Sequence, residues 1–196
     1  MSTTAYSVLP DWSLRLISEL DAADRRAESV AKGLSTFQLN WQPRQRAWSV
    51  GQCVEHLRLA NEILLPAISA ALEGRQHKTV AEIRLGWFSR WFIRTYIAAN
   101  PGGTRARAPK TIEPAKQVKL KQVKPIVLEG LLSTNQAVRE LARRASSYDV
   151  NGIRYNNPFI PLLRFTVGAG LEIIAKHQSR HLLQAEGVRQ AADFPG

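Results

Sequence analysis

The spacing of apolar side chains along the chain predicts long amphipathic helices. In the first, over residues 12–34, apolar residues recur every three or four positions, which places them on one helical face. Asp11 precedes this pattern, and its short carboxylate can accept hydrogen bonds from the free N–H groups of a first turn. We therefore expect Asp11 to cap this helix. Its predicted buried face comprises Trp12, Leu16, Leu20, Ala23, Ala27, Val30 and Leu34.

The second long helix follows a polar connection and has a clear start. Ser49 is followed three residues later by Gln52, which is the spacing of a capping box. Gly74 is typical of a residue just past a helix end, so we expect the helix to run from Ser49 to about Glu73. Pro66 lies inside the pattern and should kink the helix, because proline cannot donate a backbone hydrogen bond. The predicted apolar stripe comprises Val50, Val54, Leu57, Leu64, Ile68 and Ala71.

Two more long helices are predicted over residues 125–146 and 161–187, the first opened by Pro125. Between the second and third long helices, residues 82–98 form a short and very aromatic segment. We interpret that segment as a buried packing helix, or alternatively as a lid over a pocket or a surface for a partner or membrane. A further hypothesis is a homodimer packed through residues 87–96.

These elements predict an all-α four-helix bundle with one extra short aromatic helix, since no segment shows a convincing alternating strand pattern. The connections are long, so a simple up-down-up-down order is not assured. With 196 residues, of which 44% are hydrophobic, we expect one globular domain over residues 1–196. No apolar run could span a bilayer, no secretory signal is apparent, and Cys53 is the single cysteine. We therefore expect a cytoplasmic protein.

The charge is strongly positive, at +11, and much of it lies in one loop. Residues 100–124 carry seven lysines and arginines and only one acidic residue, Glu113. A solvated loop is one interpretation. The alternative function is a non-catalytic protein that binds nucleic acid or an acidic membrane through residues 105–124. The absence of a glycine-aromatic RNA motif and of zinc-finger spacing argues against nucleic acid.

Histidines provide the candidate chemistry. His177 and His181 enter the otherwise apolar stripe of the last helix four residues apart, so both can point at one ion. His56 lies between the small residues Cys53 and Ala60 on the second long helix, and we expect it to face inward. Three neutral imidazoles suit zinc, nickel, iron or copper and leave an open coordination position, as catalytic sites do. The alternative is that they are ordinary core or surface histidines.

Neighbouring polar residues receive simpler interpretations. Gln184, one turn beyond the histidine pair, could contact a ligand, orient a histidine or face water. Glu55 points about 100° away from His56 on the helix and should be solvated. Cys53 should be a packed, inert thiol, and His77 a solvated turn residue. No residue stands out as a general base, so the catalytic residues stay unassigned.

Two stretches of the chain resemble the DinB/YfiT-like superfamily of bacterial metal-binding helical bundles. WSVGQ at residues 48–52 with EHL at 55–57 is similar to the family signature WSxxE/Q…HL. HQSRHLLQ at residues 177–184 is similar to the family motif HxxRHxxQ, and Phe194-Pro195 matches a common ending. The likeness in order and length covers nearly the whole chain, although the basic loop is not a motif of the family.

The resemblance implies a four-helix bundle with an unusual connection order. It also implies a divalent metal, often zinc or nickel, held by His56, His177 and His181. Characterised relatives include S-transferases that use bacillithiol, mycothiol or glutathione, and a mycothiol-dependent maleylpyruvate isomerase. The function implied is therefore a metal-dependent S-transferase or hydrolase that activates a thiol or water for a small-molecule substrate, with a low-molecular-weight thiol as candidate cofactor.

Overall fold

The computed structural model describes residues 9–98, 108–114 and 123–196, and this part of the chain is mostly helical. The long helices are α1, α3, α5 and α6, and they form the predicted all-α four-helix bundle. The elements in chain order are α1 (Asp11–Ala31), α2 (Thr36–Asn40), α3 (Val50–Ala71), α4 (Trp87–Phe92), a π-helical turn (Ile93–Ile97), a 3₁₀ turn (Lys110–Ile112), α5 (Val123–Ala145), β1 (Arg154–Asn156), β2 (Arg164–Thr166) and α6 (Val167–Arg189).

The order of helices around the bundle is not up-down-up-down. Helix α3 packs mainly against α5 and α6, and α1 packs against the same two helices. Consecutive long helices, α1 with α3 and α5 with α6, therefore face each other across the bundle instead of lying side by side. This confirms the unusual connection order, and it places α3 directly against α6.

All seven residues of the apolar face predicted for the first helix are buried, but the ends of α1 differ from the prediction and Leu34 lies beyond it. Pro10 is the N-cap and Asp11 is the first helical residue, without a side-chain capping bond, so the predicted Asp11 cap was wrong. Asp11 still places a negative charge in the first turn, where it suits the helix dipole. The helix ends at Ala31 because Gly33, at φ +78°, adopts a left-handed conformation.

Helix α3 begins as predicted. The hydroxyl of Ser49 accepts a hydrogen bond from the Gln52 N–H at 3.2 Å, and the Gln52 side chain accepts one from the Ser49 N–H at 3.0 Å. The helix continues through Pro66, and the expected kink there stays a prediction. The preceding connection contains α2, which the polar composition concealed although its own capping box, Ser35 with Gln38, has the same spacing.

Helix α4 has a side that packs against the core and a side that is exposed. Phe88 and Phe92 pack against Phe165 of β2, with ring centroids 6.0 and 5.1 Å apart. Trp87 and Trp91 are exposed by 74% and 41%. Phe88 and Phe92 are only partly buried, so α4 packs against the core without being the fully buried helix of the first interpretation.

A short hairpin replaces the first turns that we expected in the last helix. β1 and β2 pair antiparallel, with the buried residues Tyr155 and Phe165 opposite each other. The start predicted at Pro161 was therefore wrong, and α6 begins at Val167, where the Thr166 hydroxyl accepts a hydrogen bond from the third helical N–H. The two strands left no signal in the sequence, because three-residue strands are too short to show an alternating pattern.

The basic loop lies largely outside the described residues. Of residues 105–124, the structure describes 108–114 and the first residues of α5, which begins two residues earlier than predicted. Binding of an anionic partner through this loop stays a prediction. In the described ranges, no helix combines the length and apolarity needed to cross a bilayer.

A buried polar network connects all four long helices. Asn61 of α3 and Gln178 of α6 both donate to the side-chain oxygen of Asn135 of α5, at 2.8 and 2.7 Å. Asn135 donates in turn to Asp24 of α1 at 2.6 Å, and Asp24 also accepts from Arg139 at 2.6 Å. Because buried polar groups are costly without partners, only one register of the helices satisfies this network.

We expect Asn135→Ala to lower the free energy of unfolding by about 2–4 kcal/mol, because it leaves buried donors on two helices without their shared acceptor. Urea unfolding followed by circular dichroism measures the loss. The matched control is Ser133→Ala, an exposed position on the same helix, which should change stability by less than about 0.5 kcal/mol. Equal losses in the two variants would contradict the role of the network.

Candidate metal centre

The packing of α3 against α6 brings the three predicted histidines together. The ring centroids of His56 and His177 are 4.8 Å apart, and each of these rings lies 4.6 Å from that of His181. One ring nitrogen from each residue lies within 4.8 Å of the other two, so the three could hold one metal ion. The closest pair is Nε2 of His56 and Nε2 of His177, at 3.0 Å.

Hydrogen bonds outside the cluster fix two of the rings. Nδ1 of His56 lies 2.7 Å from the carbonyl oxygen of Ile112 and must carry the proton, since a carbonyl only accepts. Nδ1 of His181 likewise donates to Oε1 of Gln184 at 3.0 Å. Both rings therefore carry no proton on Nε2, and the Nε2 of His56 accepts a hydrogen bond from Nε2 of His177. Gln184 contacts His181 as the orienting interpretation requires, while its side chain is also exposed to water.

Burial keeps all three imidazoles neutral at ordinary pH. It lowers the pKa of His181 to about 3, with a smaller contribution from the neighbouring His56 and Arg180. It also lowers the pKa of His56, although the bond to the Ile112 carbonyl opposes this effect. Burial, together with the other two histidines and Arg180, lowers the pKa of His177 well below its usual value. Neutral imidazole is the form that binds a divalent metal.

Trp48 forms one wall of the cluster. Its indole stacks on His181 with ring centroids 5.4 Å apart and lies 4.7 Å from the ring of His56. Trp48 directly precedes Ser49, the N-cap of α3, so the capping box also helps to hold the Trp48 backbone in place. The Ile112 carbonyl was missed by sequence reasoning, because a backbone acceptor in a loop leaves no pattern in the side chains.

A cavity of about 760 Å³ opens onto the three histidines, which is within the usual size of small-molecule sites. Its walls are mainly aromatic and aliphatic and come from α4, the π-helical turn and the loop between β1 and β2. Trp91, Ile160 and Leu162 both line it and are exposed, so they form its rim. The aromatic segment thus also has the position that the lid interpretation requires.

Three neighbouring residues complete the comparison with the sequence predictions. Cys53 is fully buried, and burial raises the pKa of its thiol to about 12, which confirms an inert side chain. His77 is exposed, as predicted, and stacks on Tyr148. Glu55 was expected to be solvated, which was wrong: it accepts hydrogen bonds from Arg58 at 2.7 and 2.9 Å, and its side chain is only 18% exposed.

Comparison with known families decides where the chain belongs. The sequence profile of the DinB superfamily matches residues 19–185. The chain belongs to the DinB superfamily. This confirms the resemblance that the two motifs suggested, and the match includes all three histidines of the cluster.

Two solved structures share this DinB fold. YfiT from Bacillus subtilis, described as a probable metal-dependent hydrolase with an unusual four-helix bundle topology, aligns with a TM-score of 0.61 at 13% identity over 99% of this chain and 95% of its own. A conserved protein from Enterococcus faecalis aligns with a TM-score of 0.54 at 18% identity over 94% of this chain and 98% of its own. At these identities the likeness shows the fold alone. No curated protein matches the chain.

We expect the metal-free protein to lose stability as the pH falls below about 6.5. The histidines stay neutral in the folded state but take up protons in the unfolded chain near their ordinary pKa, so acid favours unfolding. His181, whose pKa in the folded protein is about 3, should by itself remove about 1.6 kcal/mol from the free energy of unfolding between about pH 6.5 and about pH 5. Urea unfolding over that range measures the slope.

The variant His181→Asn should show a shallower pH dependence than the unmodified protein. His77→Asn is the matched control, because His77 is exposed and its substitution should leave the slope unchanged. Identical slopes for the two variants would show that His181 is not held neutral by the fold.

Proposed function

We propose that this protein is a metal-dependent enzyme in which His56, His177 and His181 hold a divalent cation, and that it acts as a hydrolase or S-transferase on a small organic substrate. The observation that carries the proposal is the convergence of three ring nitrogens within 4.8 Å at the floor of a cavity. The description of YfiT as a probable metal-dependent hydrolase supports it.

We further propose that residues 1–196 form one domain.

The donor set fits a zinc or nickel ion. Imidazole nitrogens bound tetrahedrally to one zinc ion lie about 3.3 Å apart, close to the 3.0 Å between Nε2 of His56 and Nε2 of His177. Among the described residues, no carboxylate joins the cluster, so three protein ligands would leave a position open toward the cavity. All three histidines line the cavity, and His177 is the partly exposed one.

When bound, such a cation lowers the pKa of a water or thiol and so supplies a nucleophile near neutral pH. The protein's own residues orient the histidines through Ile112 and Gln184, limit water through Trp48, and hold the organic part of the substrate in the cavity. Cys53 is buried and protonated, so it cannot provide a thiolate. An S-transferase activity would therefore require a low-molecular-weight thiol as cosubstrate.

We expect the untagged protein to bind about one divalent ion per chain and His181→Ala to lose most of that affinity, because a two-histidine remainder binds weakly. Elemental analysis after exposure to zinc or nickel, with competitive titration against a chelator, measures both the stoichiometry and the affinity.

His77→Ala is the control and should bind metal as the unmodified protein does, because its ring lies in the exposed turn after α3. Gln184→Ala should weaken metal binding by about 10–100-fold, since it removes only the partner that orients His181. Metal content unchanged in His181→Ala would exclude the proposed centre.

One assay can distinguish a hydrolase from an S-transferase. With the metal-loaded protein and a panel of activated esters and of electrophilic alkyl halides, water-dependent ester cleavage without added thiol indicates a hydrolase. Product formation that requires added glutathione, bacillithiol or mycothiol indicates an S-transferase. We expect either activity to fall at least about 100-fold in His177→Ala, because that variant loses one of the three proposed metal ligands.

A further inference from the structure

The cavity contains a cation that the metal centre does not explain. Arg180 lies on α6 between His177 and His181 and lines the cavity with them. Its Nη1 donates to the backbone carbonyl of Tyr96 at 2.5 Å, which fixes the guanidinium at the cavity wall. In the described ranges no carboxylate forms an ion pair with Arg180, whereas Arg58 and Arg139, two mostly buried arginines of other helices, both have acidic partners.

The charge balance of the cavity favours an anionic ligand. Among the described residues that line it there is no aspartate or glutamate. Three neutral histidines add nothing to offset a divalent cation, and Arg180 adds a further positive charge. Metal-bound hydroxide or thiolate would cancel only one of these charges. Because unpaired charge is costly in an apolar environment, a ligand that brings its own negative charge is favoured.

The remainder of the cavity requires an apolar body on that ligand. Phe88, Trp91 and Phe92 form one wall, and Phe159 and Leu163 belong to the opposite loop. A volume of about 760 Å³ exceeds what an inorganic anion occupies, so phosphate alone would leave most of this apolar surface uncovered. A neutral apolar molecule would cover the walls but leave Arg180 without a counter-ion.

We infer, building on the function proposed above, that the substrate is an organic acid whose carboxylate pairs with Arg180 and whose apolar or aromatic body occupies the aromatic part of the cavity. An arginine fork matches a carboxylate geometrically and gives charge-assisted hydrogen bonds. Because Arg180 directly precedes His181, lies about one helical turn after His177 and lines the same cavity, the bound acid lies next to the proposed metal position. Arg180 is then the residue that selects acids over neutral analogues.

The test uses the metal-free protein, so that a failed metal site and a failed acid site give different results. A homologous series of acids, from phenylacetate to phenylhexanoate, is titrated beside the corresponding primary amides. Fluorescence of Trp48 and Trp91, which line the cavity, and calorimetry report binding. We expect at least one acid to bind about tenfold or more tightly than its amide.

The substitution Arg180→Met should abolish this preference while leaving amide affinity within about twofold. Arg180→Gln keeps a donor for the Tyr96 carbonyl, so it tests the loss of charge even if Arg180→Met does not fold. The matched control is Arg189→Met, an exposed arginine on the same helix that also donates to a backbone carbonyl, that of Ser29. It should retain the preference for acids.

Three results would overturn the assignment: equal affinity for acids and amides throughout the series, an acid preference that survives in Arg180→Gln, or no binding by any acid at millimolar concentration. An acid preference in a protein that fails to bind metal would leave the acid site standing and refute the metal centre alone. Metal binding without an acid preference would leave the metal centre standing and refute the acid site alone.

Discussion

A chain of buried amide side chains fixes how α3 lies against α6, and the candidate centre depends on that placement. Asn61 and Gln178 donate to one oxygen of Asn135, and Gln178 adjoins His177 in sequence. Displacing one helix by a single turn, about 5.4 Å, would break these bonds and separate His56 from the α6 pair. These polar contacts lie beside the cluster, and together with the 3.0 Å contact between His56 and His177 they set its geometry.

The apolar surroundings of the cluster have one consistent electrostatic effect. They disfavour a proton on the histidines, disfavour the thiolate of Cys53 and leave Arg180 without an acidic partner among the described residues. A site of this kind holds little balanced charge of its own. Its chemistry would then be determined by the ions that enter it, first the metal and then an anion, and by the aromatic walls that exclude water from them.

The long helices and the three histidines could be predicted because both leave periodic patterns. An apolar face repeated over about twenty residues, as in α1, is difficult to mistake. The four-residue spacing of His177 and His181 places both side chains on the same face of the helix. The Ile112 carbonyl could not be predicted, since every residue carries one. The ion pair of Glu55 with Arg58 could have been predicted, because the two residues are three apart on one helix. The hairpin strands were too short to show any periodicity. The capping box at Ser35 was present and obscured only by its polar flanks.

The burial of Cys53 also makes the chain a convenient subject for spectroscopic labelling. It is the single cysteine, it is wholly enclosed, and its thiol stays protonated, so maleimide reagents will pass it over. A cysteine placed at Leu162, whose side chain is fully exposed on the rim, would be the one reactive thiol in the described part of the chain. A fluorophore or spin label there would report directly on what enters the cavity, without first removing a native residue.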